Sequence, residues 1–423
     1  MYLSVKFNRM LFHKISYLAI NIFSSGIVFG RSIFFLKYLP ERDLGVLILF
    51  QSIIGMFGLI QLGLFNGGLR VFSINSYKEY HEKINNNIIT YISSVTIFGL
   101  MVTLIASLFS KMSLLIILVA IIFGGLSLLK NWFSNLLVAR RKFRNINAIN
   151  FWSSLISAIL SLLVIKFGIA GAIISIGSLP LSFTIIFLII NKEYRPNKFN
   201  ISIKIIKMVL VFGFIPYLSG IADILYNQID KFFIAGILSV EELGQYYLAT
   251  IFLTIFSLVP NNINNLFVPN AINYYSEKKL KAFYRTALKY TIILCAYSFV
   301  VYLLLELFGK PIVNLFFPEK LQQLRYLFIL LPGIIAVSLS GVFGFILYVG
   351  LHYRAILWNN LFSLLSYLSL LTFLLLAKKF NLENVSYAKS LQGIFVFIFL
   401  ATVYFANCKK INQFYFLNKV KNE

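Results

Sequence analysis

Charge is scarce in this chain of 423 residues: Asp, Glu, Lys and Arg together make up 12%. An ordinary soluble domain carries roughly 25%. Acidic residues are scarcer still, 14 against 38 Lys plus Arg, for a net charge of +24. There are two cysteines, Cys295 and Cys408. Both lie in or at the edge of apolar segments, which excludes a disulfide framework and a thiolate metal site. The three histidines, His13, His81 and His352, sit at span ends or in loops without metal-ligand spacing. No Walker-type phosphate loop, glycine-rich nucleotide fingerprint or nucleophile motif is present, so this chain alone does not drive pumping with ATP. No connection exceeds about 20 residues, a length set by the spans between them, and that leaves no room for an extramembrane catalytic domain. The chain reads as a non-enzyme.

What the chain has in abundance is apolar side chain, 59% of residues, with a mean hydropathy of +0.85. A spanning helix needs about 20 mostly apolar residues. Twelve runs qualify, at 14–37, 43–65, 86–109, 112–139, 147–166, 169–190, 208–236, 243–269, 286–308, 324–350, 354–377 and 386–407. The expected fold class is an all-α polytopic membrane protein with about twelve transmembrane helices in two parallel six-helix bundles. The first run is followed by Lys37 and the acidic turn Glu41–Asp43 without a small-residue cleavage site, so it reads as a retained helix and not a signal peptide.

Basic residues crowd alternate connections. Arg140, Arg141, Lys142 and Arg144 share one; Lys192, Arg195, Lys198, Lys204 and Lys207 another; Lys278, Lys279, Lys281, Arg285 and Lys289 a third. The intervening connections hold far fewer. By the positive-inside rule this multi-pass chain has both termini in the cytoplasm. These charges are spread between spans, so they signal topology and not nucleic-acid binding.

One internal repeat is legible. Phe34-Phe35 precedes Leu39-Pro-Glu-Arg-Asp-Leu-Gly45, and Phe232-Phe233 precedes Leu238-Ser-Val-Glu-Glu-Leu-Gly244. The two glycines are 199 residues apart, which pairs the turn after helix 1 with the turn after helix 7. An offset of an even number of spans gives the halves the same orientation, as in several transporter folds. The expected domains are an N-terminal six-helix bundle, 1–195, a cytoplasmic linker, 196–207, and a C-terminal six-helix bundle, 208–423. A cleft between two bundles that rock is an alternating-access design.

Polar residues inside spans carry the functional expectation, because a charge at a helix centre costs about 2.5–3.5 kcal/mol on insertion scales. Helix 7 is richest. Asp223, Asn227 and Asp230 recur at i, i+4 and i+7 and share a face that Pro216 and Gly220 extend. Lys231 points elsewhere. Arg31 lies in the outer half of helix 1 and Lys130 in the inner half of helix 4. For these cations, reaching out to the interface competes with facing a cavity. Asp223 is either a cavity residue or a buried partner of Arg31 or Lys130. Gly55 and Gly58, with Gln51, form a stripe on helix 2 that reads as close packing. Asn261, Asn262, Asn264 and Asn265 on helix 8 read as a kink or interhelical hydrogen bonding.

The acidic-Leu-Gly turns, the stretch Gln61-Leu-Gly-Leu-Phe-Asn-Gly-Gly-Leu-Arg70 and the Asp230-Lys231 pair resemble the polysaccharide-synthesis flippases, the Wzx-type O-antigen and capsule repeat-unit translocases of the MATE-like (MOP) superfamily. The resemblance implies a V-shaped pair of six-helix bundles that moves an undecaprenyl-pyrophosphate-linked oligosaccharide from the inner to the outer leaflet. It implies a cationic central cavity, to which Arg31, Lys130 and Lys231 would contribute as substrate-binding groups. Asp223, Asn227 and Asp230 would tune that cavity or carry a coupling proton or sodium ion; no other cofactor and no metal is implied. The implied partners are the bilayer, the polyprenyl-pyrophosphate-linked oligosaccharide, and a polysaccharide polymerase and chain-length regulator, with no nucleic acid. A MATE-like ion-coupled antiporter of small molecules is the alternative. A membrane glycan polymerase or ligase is a third reading, disfavoured by the short connection at 309–323.

Overall fold

The protein is described by a computed structural model covering residues 2–73, 79–107, 114–140, 142–277, 279–350 and 352–420. The side chains of His13, Asn261, Asn262, Asn265 and Cys408 lie outside the described residues. The first half contains helices α1 (Tyr2–Tyr38), α2 (Glu41–Met56), α3 (Leu64–Ser73), α4 (His81–Ser107), α5 (Leu114–Ala139), α6 (Phe143–Leu160), α7 (Val164–Phe167) and α8 (Ile169–Ile190). There follow α9 (Ile203–Phe233), α10 (Val240–Gln245), α11 (Tyr247–Ser276), α12 (Leu280–Leu304), α13 (Lys310–Phe316), α14 (Leu324–Val349), α15 (Tyr353–Leu376) and α16 (Leu382–Val420). Helices are the outcome that hydrocarbon dictates, since each helix satisfies its own backbone polar groups.

Every one of the twelve expected runs falls on one of the long helices, with 43–65 divided between α2 and α3 and 147–166 between α6 and α7. Among the described residues ten helical segments are long and apolar enough to cross a membrane; the remaining two expected runs lie on α4 and α11. The break between α2 and α3 comes at Leu62 and Gly63, both with positive φ (49° and 89°). That left-handed conformation is easy for glycine and strained for leucine.

Compactness divides the chain into Met1–Gly244 and Gln245–Glu423. The first unit runs past the expected bundle boundary at 195 for two physical reasons. The segment after α8 is tied down on α4: Asn85 Nδ2 donates to the Tyr194 carbonyl (2.9 Å), Asn197 to Glu82 (3.2 Å), and the Asn200 N–H to Thr90 Oγ1 (3.2 Å). Helix α9 then packs backbone to backbone on α3 and the Gly63 turn before it. A Cβ on Gly67 would overlap the Val209 carbonyl, and one on Gly213 would overlap the Gly63 carbonyl. Further along, Gly55 faces Gln228 and Gly58 faces Ile224, which confirms the glycine stripe of α2 as a packing surface. The Tyr217 hydroxyl donates to the Leu59 carbonyl at 2.5 Å on the same seam.

The repeat is physically real at its glycines. A Cβ on Gly45 would overlap the Val240 carbonyl, and a Cβ on Gly244 would overlap the Glu41 carbonyl. Each glycine thus abuts the residue four positions before the other glycine, the reciprocity expected of a two-fold contact. Arg42 and Glu241, equivalent positions in the two copies, form an exposed ion pair at 3.7 Å. The helix starts differ but serve alike. Pro40 precedes α2, where no N–H is needed, and Ser239 Oγ accepts the Glu242 N–H at 3.0 Å at the start of α10.

The first unit is cored by Trp132, Phe133, Phe183 and Phe187, with Phe133 and Phe187 stacked at 4.0 Å. In the second unit, Phe283, Tyr290, Leu294 and Phe345 form the core, with Tyr290 and Phe345 stacked at 4.8 Å. There α14 and α16 approach closely: a Cβ on Gly393 would meet the Gly333 carbonyl, and the Gly333 N–H donates to Ser390 Oγ at 3.1 Å.

Gly45→Val and Gly244→Val each force bulk into a backbone carbonyl. Overpacking of this kind costs about 1–3 kcal/mol, so each purified variant should melt several degrees below the parent in a detergent thermal-shift assay. The double variant should lose less than the sum, because both substitutions open the same contact.

Candidate functional site

The first unit holds all six residues singled out from the sequence, and it treats them differently. Arg31 on α1 is buried, 7% exposed, and turned into the bundle instead of reaching for the interface. Its Nη1 donates to Ser157 Oγ on α6 at 2.6 Å. Ser157 Oγ in turn donates to the Ser175 carbonyl on α8 (2.7 Å), and Ser175 Oγ returns the bond to the Ser157 carbonyl (2.7 Å). The guanidinium also stands over the Phe35 ring, 5.7 Å from its centroid, a favourable cation–π placement.

Lys130 on α5 is half-buried and close enough to Arg31 for the two charges to repel. It has no ion-pair partner among the described residues. Helices α1, α5, α6 and α8 therefore assemble two cations in one place. The Arg31 guanidinium bonds Ser157, whose hydroxyl bonds the Ser175 carbonyl.

Lys231 donates to Gln228 Oε1 at 2.8 Å, and Gln228 lies against Gly55 on the α2–α9 seam. Asp223 and Asn227 are exposed and linked, Asn227 Nδ2 donating to the Asp223 carbonyl (2.9 Å) and to Asp223 Oδ1 (3.2 Å). Gly220, one turn earlier, has open space beside it. An exposed carboxylate in the middle of a span requires water or a polar cavity in front of it. Asp230 departs from the shared open face read from its spacing. It is fully buried (0% exposed) while Asp223 and Asn227 are open. Spacing fixes its angle around α9 but not what covers it.

Two functional-looking groups escaped the sequence reading. Ser157 and Ser175 are ordinary small residues there and gain meaning only as the Arg31 acceptor network. Lys389 on α16, in the second unit, is 8% exposed, with its ammonium 5.7 Å from the Tyr367 ring centroid. Beside it, Gln392 is fully buried and donates to the Ser363 carbonyl (3.1 Å) and hydroxyl (2.7 Å). A lysine inside an apolar run with Gln three residues later was the available signal.

At the face carrying the basic connections, Lys142 bonds Glu193 and stands 4.9 Å from the Tyr194 ring. Burial lowers the Lys142 ammonium, but the Glu193 hydrogen bond and Tyr194 outweigh it and hold its pKa above the ordinary value. The same bond holds the Glu193 carboxyl below its ordinary range.

Comparison with known proteins places this arrangement. An inward-facing multidrug-resistance MATE family transporter of the MOP superfamily superposes with a TM-score of 0.76 at 14% identity, covering 95% of this chain and 99% of its own. A MOP superfamily transporter from Pyrococcus furiosus, described as having a binding pocket of reverse polarity, gives 0.66 at 14%, covering 95% and 96%. A variant of the Vibrio cholerae MATE transporter VcmN gives 0.65 at 12%, covering 97% and 99%. The chain therefore has the MATE fold of the MOP superfamily. The sequence model of the polysaccharide biosynthesis protein family matches residues 42–324, and the chain belongs to that family. No individually curated protein matches it.

Two predictions follow the site's geometry. Ser157→Ala removes the acceptor of a charged hydrogen bond, worth about 1.5–3 kcal/mol, and should lower the melting temperature accordingly. The Lys142–Glu193 pair is partly exposed, so its worth is below about 1 kcal/mol. Because the Glu193 carboxyl is depressed in the fold, that contribution is present above the ordinary Glu pKa and fades as pH falls through the lowered value. Glu193→Gln should flatten this acid-side loss in a pH series of melts and leave neutral-pH stability within about 1 kcal/mol.

Proposed function

We propose that this protein is a flippase that carries polyprenyl-pyrophosphate-linked oligosaccharide repeat units, O-antigen or capsular, from the inner to the outer leaflet of a bacterial cytoplasmic membrane by alternating access. The observation that carries this reading is the Arg31–Lys130 pair, two neighbouring cations inside one bundle, with no ion-pair partner for Lys130 among the described residues. Membership of the polysaccharide biosynthesis family and the MATE fold support it.

The physical task fits these groups. A pyrophosphate bearing sugars does not cross hydrocarbon unaided, because its charges and hydroxyls would be stripped of water. An Arg fork and a Lys point charge replace that hydration, while an apolar polyprenyl tail needs only lipid. No bond is made or broken. In this reading Ser157 and Ser175 hold the guanidinium in a fixed direction. Asp223 and Asn227, open on α9, form the candidate acceptor for a coupling proton or sodium ion. That same acidic pair is the observation favouring the second reading, an ion-coupled antiporter of small cations.

The test is complementation with separated readouts. Arg31→Gln and Lys130→Gln should each reduce surface polysaccharide by tenfold or more, on the order of the 1.4 kcal/mol or greater that a charged contact supplies, with unchanged amounts of protein in the membrane. Normal surface polysaccharide in both would remove these residues from the site. Resistance to cationic dyes that falls in Asp223→Asn, with polysaccharide intact, would favour the antiporter.

A further inference from the structure

The connection between α8 and α9 carries a surface that neither the cationic site nor the bundle core uses. The backbone is extended at Arg195 and again at Ser202, with no α-helix between them. Large apolar side chains alternate along this strap: Phe199, Ile201 and Ile203 are 72%, 47% and 69% exposed. The residues between them, Asn200 and Ser202, give their N–H groups to Thr90 and Asn87 on α4. The strap is therefore pinned to α4 while its apolar side chains stay uncovered. Single exposed apolar residues mean little, but a contiguous patch marks a contact surface.

Two measures set its depth. Thr90 lies one turn inside the apolar run that opens at residue 86, so the strap reaches the level at which α4 enters the hydrocarbon. Helix α9 has 31 residues, about 46 Å at 1.5 Å each, against roughly 40–45 Å for a bilayer with its headgroups. Its first turn therefore lies at headgroup level. The apolar surface also runs on into the span. Ile203, Lys207, Val211 and Phe214 share one face of α9, and all four are exposed. Lys207 stands in that stripe between Ile203 and Val211, where its stem lies along lipid and its ammonium reaches the headgroups.

The charges around the strap are of one sign. Lys198, Lys204 and Lys207 are exposed and have no ion-pair partner among the described residues. The carboxylates tied to this segment, Glu82 and Glu193, are engaged by Asn197 and Lys142. Three cations beside three apolar side chains at headgroup depth match an anionic phospholipid, phosphate to the lysines and acyl chain to Phe199, Ile201 and Ile203. A soluble acidic protein would match the lysines alone, since headgroups bar it from the apolar side chains at that depth.

We propose that residues 198–207 are an interfacial anchor, in which Phe199, Ile201 and Ile203 enter the cytoplasmic leaflet and Lys198, Lys204 and Lys207 bind the phosphates of anionic phospholipids. The linker expected at 196–207 is then a lipid-binding strap and not a free tether. Because it joins α4 to α9, anionic lipid held there braces the cytoplasmic end of the first unit. The proposal does not depend on what the protein transports.

The experiment places a photo-cross-linker in the strap of the full-length protein, with p-benzoylphenylalanine replacing Phe199. The protein is reconstituted in nanodiscs of phosphatidylcholine and phosphatidylglycerol in equal parts, irradiated, and its adducts are weighed by mass spectrometry. Lipid adducts should form, with phosphatidylglycerol enriched about fivefold or more over phosphatidylcholine. Added salt should erode that enrichment. Combining Lys198→Gln, Lys204→Gln and Lys207→Gln should return the adducts to the ratio of the mixture, while melting in pure phosphatidylcholine nanodiscs matches the parent and shows the variant folded. Absence of lipid adducts overturns the anchor and leaves the surface to a soluble partner. Equal capture of both lipids by the parent overturns the role of the lysines and the proposal with it. Enrichment that persists in the folded triple variant overturns it as well, because other cations then select the lipid.

Discussion

Two like charges held together in a bilayer are the constraint on which the first unit is built. Arg31 and Lys130 lie near enough to repel, and Lys130 has no ion-pair partner among the described residues. In low dielectric that repulsion is several times stronger than in water. The bundle tolerates it because the guanidinium is anchored: Ser157 accepts from Arg31, and Ser157 and Ser175 exchange hydrogen bonds that lock α6 to α8. Serines recur along both helices, with Ser153, Ser178 and Ser182 also bonding helix carbonyls. This polar lining lets helices approach closely without leaving hydroxyls unpaired in lipid. The serine network is the structure that makes a buried guanidinium tolerable here.

A second device seals the first unit along α9. Gly63 and Gly67 meet the α9 backbone at Gly213 and Val209, Gly55 and Gly58 on α2 make room for the Gln228 and Ile224 side chains, and Gly45 abuts Val240 at the start of α10. The two copies of the acidic-Leu-Gly turn interlock reciprocally there, so the repeat is a contact as well as a sequence similarity. Opening such a seam means separating whole helices, which suits an all-or-none transition between two packed arrangements better than a graded one. Asp230 is fully buried on α9, and Asp223 and Asn227 remain open further along it.

Much of this was legible in the sequence, and the limits have physical causes. The spans were readable because hydrocarbon demands long apolar runs, and all twelve fall on helices. Gly45 and Gly244 were readable because a repeated turn preserves its glycine wherever a Cβ would strike a carbonyl. The stripe Gly55–Gly58 was readable as packing because its spacing fixes a face. Spacing does not say what faces that face. Asp223 and Asp230 share an angle on α9, yet one is open and the other covered, since only the partner helix decides. The basic segment after α8 looks like a tether in the sequence, and Asn85, Glu82 and Thr90 hold it to α4. Ser157, Ser175 and Lys389 needed the three-dimensional neighbours to show what they do.

The central claim is that lipid-linked oligosaccharide crosses the membrane through this protein. The most direct measurement is the sidedness of polyprenyl-linked saccharide in spheroplasts of a strain lacking it, read with an impermeant glycosidase or lectin. The account predicts accumulation on the inner leaflet, reversed by the intact gene and not by the Arg31→Gln variant. Normal amounts with normal outer exposure, in a strain without a second flippase, would contradict it.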